Sequence, residues 1–247
     1  MKIELINYTP NAAATLIYTK STRLQDEMTL EDVIQMSDEW ILEELRYMKD
    51  TIQSSWEFVD YTFRISNVSR SFTHQLVRTR TGAYAQESQR TVDVRDATVI
   101  NTSGSAEFDE AAGYILGLYG QWIDGGMAVQ DARGILPSNI STSIISKFNL
   151  RTLHDMALLR LCVRTQGEYQ RVFKAMIEEV FKVHPWAEEF IRVKCAWDGV
   201  CAFPRYSNCP IQRYTLHASD YLKADIQRRW QETTHEAIPV AKNGRTM

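Results

Sequence analysis

The sequence predicts a single α+β domain in which an antiparallel or mixed sheet packs against long helices. Some segments place apolar residues at alternate positions, which is typical of strands, and longer segments place them at helical spacing. No internal repeat, low-complexity segment or linker divides the 247 residues. We therefore assign residues 1–235 to one domain and expect residues 236–247 to form a mobile tail.

Five elements are predicted in the first part of the chain. In order, they are a strand over 1–8, helices over 11–19 and 29–50, a strand over 56–67 and a short helix over 68–80. Acidic Glu31 and Asp32 lie near the start of the second helix, where the helix dipole favours negative charge. Tyr61, Phe63 and Ile65 alternate with polar residues, as expected of a strand with one buried face.

The rest of the chain is predicted to be mainly helical after a polar segment. The predicted elements are loops over 81–110 with a short strand near 97–100, a helix over 107–124, a short helix from about 127 to Pro137, a helical region over 141–183 and a final helix over 218–232. Gly125 and Gly126 are a typical helix stop signal. We expect the long helical region to break near Phe148 and Asn149.

The overall charge and hydropathy exclude two classes of partner. The net charge is −3 and the pI is about 6.0, so the chain lacks the basic excess of a binder of polymeric nucleic acid. No apolar run approaches the roughly 20 residues that span a bilayer, which argues against a membrane partner. The first residues lack the apolar core of a signal peptide. We therefore expect a soluble, cytoplasmic protein.

Four cysteines raise the question of a metal site. Cys162 lies in an apolar helical run and is predicted to be a buried thiol, whereas Cys195, Cys201 and Cys209 cluster before His217. Their spacings of five and seven intervening residues differ from those of zinc-binding pairs. We favour free thiols and no metal, with a zinc site as the alternative.

A local basic cluster is the most informative feature of the sequence. Arg78, Arg80 and Arg90 fall within the sixteen residues 75–90, together with Ser88 and three glutamines. Arginine forks bind phosphate oxygens bidentately, and hydroxyl and backbone N–H groups complete such a site. Because the cluster is local, it predicts a pocket for a small anionic ligand.

Two further arginines are candidates for ligand contacts. Arg133 stands just before a helix-ending proline, where an arginine is also common for its interaction with the helix dipole. Arg160 lies in an otherwise apolar stretch, and a buried charge requires a partner. That partner is either Asp155 or Glu168, or else a bound anion or a polarised carbonyl group.

The positions of Arg151 and Arg160 favour an oligomer. Nine residues separate them, so they point to roughly opposite sides of a helix. If both contact ligands, the helix must lie between two ligand sites or between two subunits. This geometry is typical of sites to which several subunits contribute.

Arg78-x-Arg80, followed after seven residues by Ser88-x-Arg90, resembles the signature Arg-His-Arg-x7-Ser-x-Arg of flavin-dependent thymidylate synthases. Thr79 replaces the central histidine. The resemblance extends from about residue 52 to 209 and includes the segments 74–78, 86–90, 132–137 and 149–151 and the spacing of the last three cysteines. It implies the α+β fold of that family and a homotetramer with sites at subunit interfaces.

The resemblance also implies an activity. Members of the family methylate dUMP reductively at C5 to give dTMP, with methylenetetrahydrofolate as the carbon donor. FAD is the hydride carrier and NADPH regenerates its reduced form. The implied ligands are therefore dUMP, folate, FAD and NADPH.

Site residues follow from the matching motif positions. The implied dUMP-binding residues are Gln75, Arg78, Gln86, Glu87, Ser88, Arg90, Arg133 and Arg160. The implied FAD-binding residues are Ser54, Arg78, Thr79, Arg80, Gln86, Asn149, Arg151 and Asp155. Arg160 is the implied catalytic residue, because a cation at the uracil ring stabilises negative charge near N3 and makes C5 more nucleophilic.

Four positions depart from the family pattern. Thr79 and Ile52 stand where relatives often have histidine, Thr91 where tyrosine is usual, and Asp155 where asparagine is common. Threonine can hydrogen-bond but cannot stack on a flavin or carry charge. Two alternatives follow: modification of C5 in another pyrimidine nucleotide, such as hydroxymethylation, or nucleotide binding without catalysis. Such divergence would suit a bacterial enzyme or a viral one acting in the host cytoplasm.

Overall fold

A computed structural model describes residues 1–24, 27–51, 53–199, 201 and 209. It contains both strands and helices, which confirms the predicted α+β class. The helix predicted over 218–232 and the tail over 236–247 lie outside the described residues.

Four strands form one sheet in the described part of the chain. They are β1 Lys2–Tyr8, β2 Asp60–Ser69, β3 Ala83–Gln86 and β4 Ser141–Asn149. Their order in the sheet is β1-β2-β4-β3. Strands β3 and β4 are antiparallel, with Ala83 opposite Lys147 and Gln86 opposite Ile144.

Helices account for most of the remaining described residues. They are α1 Ala12–Tyr18, α2 Ser21–Leu24, α3 Leu30–Ile34, α4 Asp38–Lys49, α5 Arg70–Leu76, α6 Ala106–Asp124, α7 Val129–Ala132, α8 Leu150–Arg160, α9 Gly167–Val183 and α10 Lys194–Asp198. Short 3₁₀ turns span Gln53–Phe58, Arg133–Ile135 and Pro185–Glu189.

The chain divides into two compact units, whose boundaries fall inside β1, β2 and β4. Unit one comprises Met1–Ile6 and Thr62–Lys147. Unit two comprises Asn7–Tyr61 and the described residues from Phe148 onwards. The assignment of residues 1–235 to a single domain stays a prediction.

Strand β4 corrects the predicted helical region over 141–183, which was wrong at its start. Residues alternate between the faces of β4, and Thr142 and Ser146 share its buried face with Ile144 and Phe148. The two buried hydroxyl residues obscure the alternation of apolar residues that identifies a strand. The region breaks into β4, α8 and α9, so its second break lies between Arg160 and Gly167.

The predicted helix over 29–50 is also wrong as a single element, because it forms two helices, each of which starts at its own capping residue. Thr29 Oγ1 accepts a hydrogen bond from Asp32 N at 3.2 Å, and Thr29 N donates to Asp32 Oδ2 at 2.8 Å. Ser37 Oγ then accepts from Trp40 N at 3.3 Å and starts α4. A side chain that caps a helix start satisfies an otherwise unpaired N–H group.

Two smaller differences concern strands. Residues Gln53–Phe58 form a 3₁₀ turn, so the predicted strand over 56–67 begins only at Asp60. The short strand β3 was not predicted, because its four residues carry no apolar alternation. Near 97–100, the chain forms a single antiparallel bridge between Val99 and Ile140.

The core of unit two contains a histidine among aromatic rings. The rings of Trp56 and Trp197 lie 5.1 and 4.5 Å from the ring of buried His154. His154 Nδ1 donates to the carbonyl oxygen of Phe190 at 2.7 Å. Burial lowers the pKa of His154, so the ring is neutral. Its Nδ1–H group is satisfied by the Phe190 carbonyl.

A second buried histidine in unit two pairs with a tyrosine. Tyr61 Oη and His184 Nδ1 are 3.0 Å apart, and the ring of Tyr8 meets His184 edge-on. Burial raises the pKa of Tyr61 and lowers the pKa of His184, so both side chains are neutral. The hydrogen bond therefore joins two uncharged buried groups, and each group satisfies the hydrogen-bonding capacity of the other.

We expect Tyr61→Phe to lower the free energy of unfolding by about 1–3 kcal/mol, because it leaves His184 Nδ1 buried without its partner. Urea unfolding of the purified protein measures this change. Tyr47→Phe is the matched control, since Tyr47 is exposed and the same hydroxyl is removed there. Equal stability of the two variants would contradict a structural role for the Tyr61–His184 pair.

Candidate functional site

Arg78 and Arg80, the first two arginines of the sequence motif, lie on a tight turn in unit one. We call residues 77–82, which connect α5 to β3, the arginine turn. Arg78 N donates to Gln75 O at 3.2 Å, and Thr79 N donates to Leu76 O at 3.0 Å. Gly82 N then donates to Thr79 O at 3.1 Å. These bonds satisfy carbonyl groups at the end of α5 and form the turn that leads into β3.

Tyr84 on β3 fixes the backbone of the arginine turn. Its hydroxyl lies 2.6 Å from Thr79 O and 3.1 Å from Leu76 O. The side chains of Arg78 and Arg80 are exposed, whereas Thr79 is half-buried. A hydrogen-bonded backbone thus presents two exposed cations to solvent, an arrangement that suits an anionic ligand.

The segment after β3 continues the pairing with β4. Glu87 N donates to Ser143 O at 3.0 Å, and Ser143 N donates to the carboxylate oxygen Oε2 of Glu87 at 3.1 Å. The side-chain amide of Gln86 donates to Thr73 Oγ1 at 2.7 Å. Gln86 and Glu87 are therefore both held in place by hydrogen bonds.

Ser88 and Arg90 follow on an exposed turn. Ser88 Oγ accepts from Arg90 N at 3.1 Å, and Arg90 Nε donates to Gln130 Oε1 at 3.4 Å. Gln130 lies on α7, and this helix ends directly before Arg133, which is exposed. The contact with Gln130 links the Ser88-x-Arg90 segment to the helix that precedes Arg133.

Arg70 belongs to this cluster, although it was not predicted from the sequence. Its Nη1 donates to the carbonyl oxygen of Glu87 at 3.1 Å. Partial burial and the charge of nearby Arg133 lower the pKa of Arg70, while the charge of Glu87 raises it. The signal available in the sequence was an arginine directly after Ser69, at the start of the predicted helix.

A second set of predicted residues lies in unit two, at the start of α8. Asn149 Oδ1 accepts from Thr152 N at 2.8 Å, so this side chain caps the helix. Arg151 Nη1 lies 2.7 Å from Glu57 Oε1, and the side chains are 43% and 49% exposed. Ser54, which is exposed, lies on the same 3₁₀ turn as Glu57.

The end of α8 carries the predicted catalytic arginine. The guanidinium carbon of half-buried Arg160 lies over the ring of Tyr169, 4.5 Å from its centroid. Such cation–π contacts stabilise a partly desolvated charge. Asp155, which is exposed, lies one turn after Arg151 on α8.

None of the four cysteines forms a disulfide bond, and all four are half-buried. Burial, together with the neighbouring thiols of Cys162, Cys209 and Cys201, raises the pKa of Cys195 to about 12. Within the described residues, no three His, Cys, Asp or Glu side chains are placed to hold a metal ion. His217, which was considered as a ligand, and Ile52, which was noted as a departure, lie outside those residues.

The structure distributes the predicted site residues over the two units. Unit one holds Gln75, Arg78, Thr79, Arg80, Gln86, Glu87, Ser88, Arg90 and Arg133. Unit two holds Ser54, Asn149, Arg151, Asp155 and Arg160. The fold and the arginine cluster of unit one define an α+β protein with a basic surface whose chemistry suits an anionic ligand.

The chain belongs to the thymidylate synthase complementing protein family, whose family model matches residues 4–186. It is 31% identical to a flavin-dependent thymidylate synthase of Pyrococcus furiosus, with 81% of this chain and 89% of the relative covered. A flavin-dependent thymidylate synthase of Geobacter sulfurreducens is 33% identical, with coverages of 75% and 84%.

Solved structures share the fold. Thymidylate Synthase X from Helicobacter pylori with FAD and dUMP gives a TM-score of 0.65 at 17% identity, with 76% of this chain and 97% of that chain covered. A UMP/dUMP methylase, PolB, from Streptomyces cacaoi bound with 5-Br dUMP gives a TM-score of 0.63 at 19% identity, with coverages of 78% and 97%. None of the helices in the described residues is long and apolar enough to cross a membrane.

We expect Tyr84→Phe to loosen the arginine turn, because the variant loses the hydroxyl that contacts the carbonyl groups of Thr79 and Leu76. Hydrogen exchange followed by mass spectrometry should show faster exchange over residues 77–82. Tyr18→Phe, in helix α1 of unit two, is the control and should leave that segment unchanged. Unaltered exchange in Tyr84→Phe would show that the turn is held by its main-chain bonds alone.

Proposed function

We propose that this protein is a flavin-dependent thymidylate synthase that methylates dUMP at C5 to give dTMP. The observation that carries the proposal is the arginine cluster of unit one, which occurs in a chain belonging to the thymidylate synthase complementing protein family. Relatives at 31% and 33% identity are named flavin-dependent thymidylate synthases. The enzyme class follows from the same relatives.

The nucleotide is assigned to the residues that follow the arginine turn. Ser88, Arg90 and Arg133 would bind the phosphate, because a hydroxyl and two exposed guanidinium groups match a phosphate dianion. Gln75, Arg78, Gln86 and Glu87 would complete the contacts with dUMP. The hydrogen bonds of Gln86 and Glu87 to their neighbours support this assignment, since they hold the segment before the ligand arrives.

The chemistry of the residues implied for FAD fits that ligand. Arg78, Arg80 and Arg151 offer exposed cations for a pyrophosphate, and Thr79 and Ser54 offer hydroxyl groups. Gln86, Asn149 and Asp155 would complete the set. When bound, FAD would supply the hydride that reduces the transferred carbon. Thr79 provides a hydrogen bond where a histidine would stack, so we expect flavin affinity to rest mainly on the arginines.

Arg160 is assigned to the uracil ring. The ring of Tyr169 orients its guanidinium group. A fixed cation near N3 and its neighbouring oxygens would stabilise the negative charge that develops there. The charge stabilisation makes C5 more nucleophilic towards the one-carbon unit.

Methylenetetrahydrofolate and NADPH are the proposed carbon donor and reductant, and the cytoplasm is the proposed location. A second candidate function is C5 modification of another pyrimidine nucleotide. Thr79 and Asp155 favour this candidate, since both changes fall in the set assigned to FAD while the arginines assigned to phosphate are present. Turnover of dUMP separates the two candidates.

We propose that the protein assembles as a homotetramer, and α6 supports this. The helix spans 19 residues, of which only Ala112 and Tyr119 are buried. Tyr114 is 69% exposed and Trp122 is 38% exposed. A Cβ atom added at Gly117 would meet no atom within 4 Å, so a second helix has room to approach there. Large exposed apolar groups on a long helix are typical of a subunit interface.

We expect the purified protein with added FAD to show flavin absorption bands that shift when dUMP is titrated. Arg90→Ala and Arg160→Ala should weaken dUMP binding at least about tenfold, since each removes a charged contact. Arg46→Ala, an exposed arginine of α4, is the matched control. Unchanged dUMP binding in both variants would contradict the assigned roles, and absence of flavin uptake would favour the nucleotide-binding alternative.

Turnover completes the test of function. We would follow conversion of dUMP to dTMP in the presence of methylenetetrahydrofolate and NADPH, omitting each in turn. Loss of product on either omission supports that compound as a co-substrate. Binding of dUMP and FAD without any dTMP would favour the second candidate function.

We expect Gly117→Arg to break the tetramer, because it places a charged side chain in the proposed α6 interface while the single chain has room for it. Light scattering should give about four times the chain mass of 28.5 kDa for the wild type and a smaller mass for the variant. Glu43→Arg on exposed α4 is the control for added charge. A tetrameric Gly117→Arg protein would exclude this face as the interface.

A further inference from the structure

Arg70 is fixed at both its main chain and its side chain. As the first residue of α5, it donates from its backbone N to Ile140 O at 3.0 Å, and Ser71 N donates to Ser138 O at 2.8 Å. Its Nη1 donates to Glu87 O at 3.1 Å. The residue therefore connects the chain before β4 to the segment after β3. Arg70 is half-buried, so its charge is only partly hydrated.

The electrostatic surroundings of Arg70 are unfavourable without a ligand. Arg133 lies close enough to destabilise the charge of Arg70, and Glu87 opposes this effect. Arg90 is linked through Gln130 to the short helix that ends directly before Arg133. Hydrogen bonds thus connect the three segments that carry Arg70, Arg90 and Arg133. The repulsion between half-buried Arg70 and Arg133 is relieved when an anion binds between them.

We propose that Arg70 is a positioning residue of the nucleotide site, which holds the segment Glu87–Arg90 through the Glu87 carbonyl and adds positive charge beside Arg133 for the phosphate of the nucleotide. The proposal rests on the proposed function. It extends the nucleotide site to a residue outside the sequence motif. Arg70 acts through its hydrogen bond to the carbonyl of Glu87 and through its positive charge. We therefore expect the loss of Arg70 to weaken a ligand that carries a phosphate more than one that lacks it.

Binding of two ligands by the full-length protein tests this role. The affinity for dUMP is compared with the affinity for deoxyuridine, which lacks the phosphate, by calorimetry in the wild type, Arg70→Met and Arg70→Lys. Arg70→Met should weaken dUMP binding about tenfold to a hundredfold, and deoxyuridine binding by less than about threefold. Arg70→Lys keeps the charge and should recover most of the affinity for dUMP. Arg64→Met, an exposed arginine of β2 in the same unit, is the matched control.

Each outcome decides between the proposals. If Arg70→Met weakens both ligands equally, Arg70 is only structural and the positioning role is overturned. If Arg70→Met keeps the full affinity for dUMP while the wild type binds it, the role is likewise overturned and the proposed function stands. If the wild type binds neither ligand, the proposed function fails and the nucleotide role of Arg70 fails with it. If Arg70→Met does not fold, Arg70→Gln, which also removes the charge, replaces it, and an equal loss of affinity for dUMP and deoxyuridine in that variant overturns the role.

Discussion

The antiparallel pairing of β3 with β4 determines where the arginines of the sequence motif stand in unit one. The pairing continues past the end of β3, because Glu87 exchanges hydrogen bonds with both the N–H and the carbonyl group of Ser143. At the other end of β3, Tyr84 fixes the arginine turn. The four residues of β3 thus determine the positions of Arg78 and Arg80 before the strand and of Arg90 after it. A slip of one residue in this pairing would turn every side chain of β3 to the opposite face.

Unit two stabilises its residues in a different way. Its core buries two histidines, His154 and His184, which are kept neutral by burial and satisfied by a carbonyl group and a tyrosine. The polar contacts are directional, so they fix the orientation of the helices more narrowly than apolar packing alone. Helix α8 starts at the Asn149 cap beside this core and ends at Arg160 over Tyr169. The position of the proposed catalytic cation therefore depends on a helix that is held along its length.

The sequence predicted the fold class and the helices with clear apolar periodicity, such as α6, which begins one residue before the predicted start. The predicted element bounds were wrong where polar residues are buried or where one capping side chain starts a new element. Thr142 and Ser146 hid strand β4 in this way, and Ser37 divided a helix that periodicity alone joined. The motif arginines stand out in the sequence because their spacing is typical of phosphate binding, and their roles stay a prediction. Arg70 was missed, since its proposed role depends on the approach of Glu87 and Arg133, which no local pattern encodes.

The ion pair between Arg151 and Glu57 would make anion binding at Arg151 a competition. An anionic group that took the place of the Glu57 carboxylate at Arg151 Nη1 would return that carboxylate to water. Because both side chains are about half exposed, the pair contributes no more than about 1 kcal/mol, and salt weakens it further. The carboxylate would therefore be a weak competitor for such an anion. Ions of the medium enter the same competition, which links occupancy of this position to ionic strength.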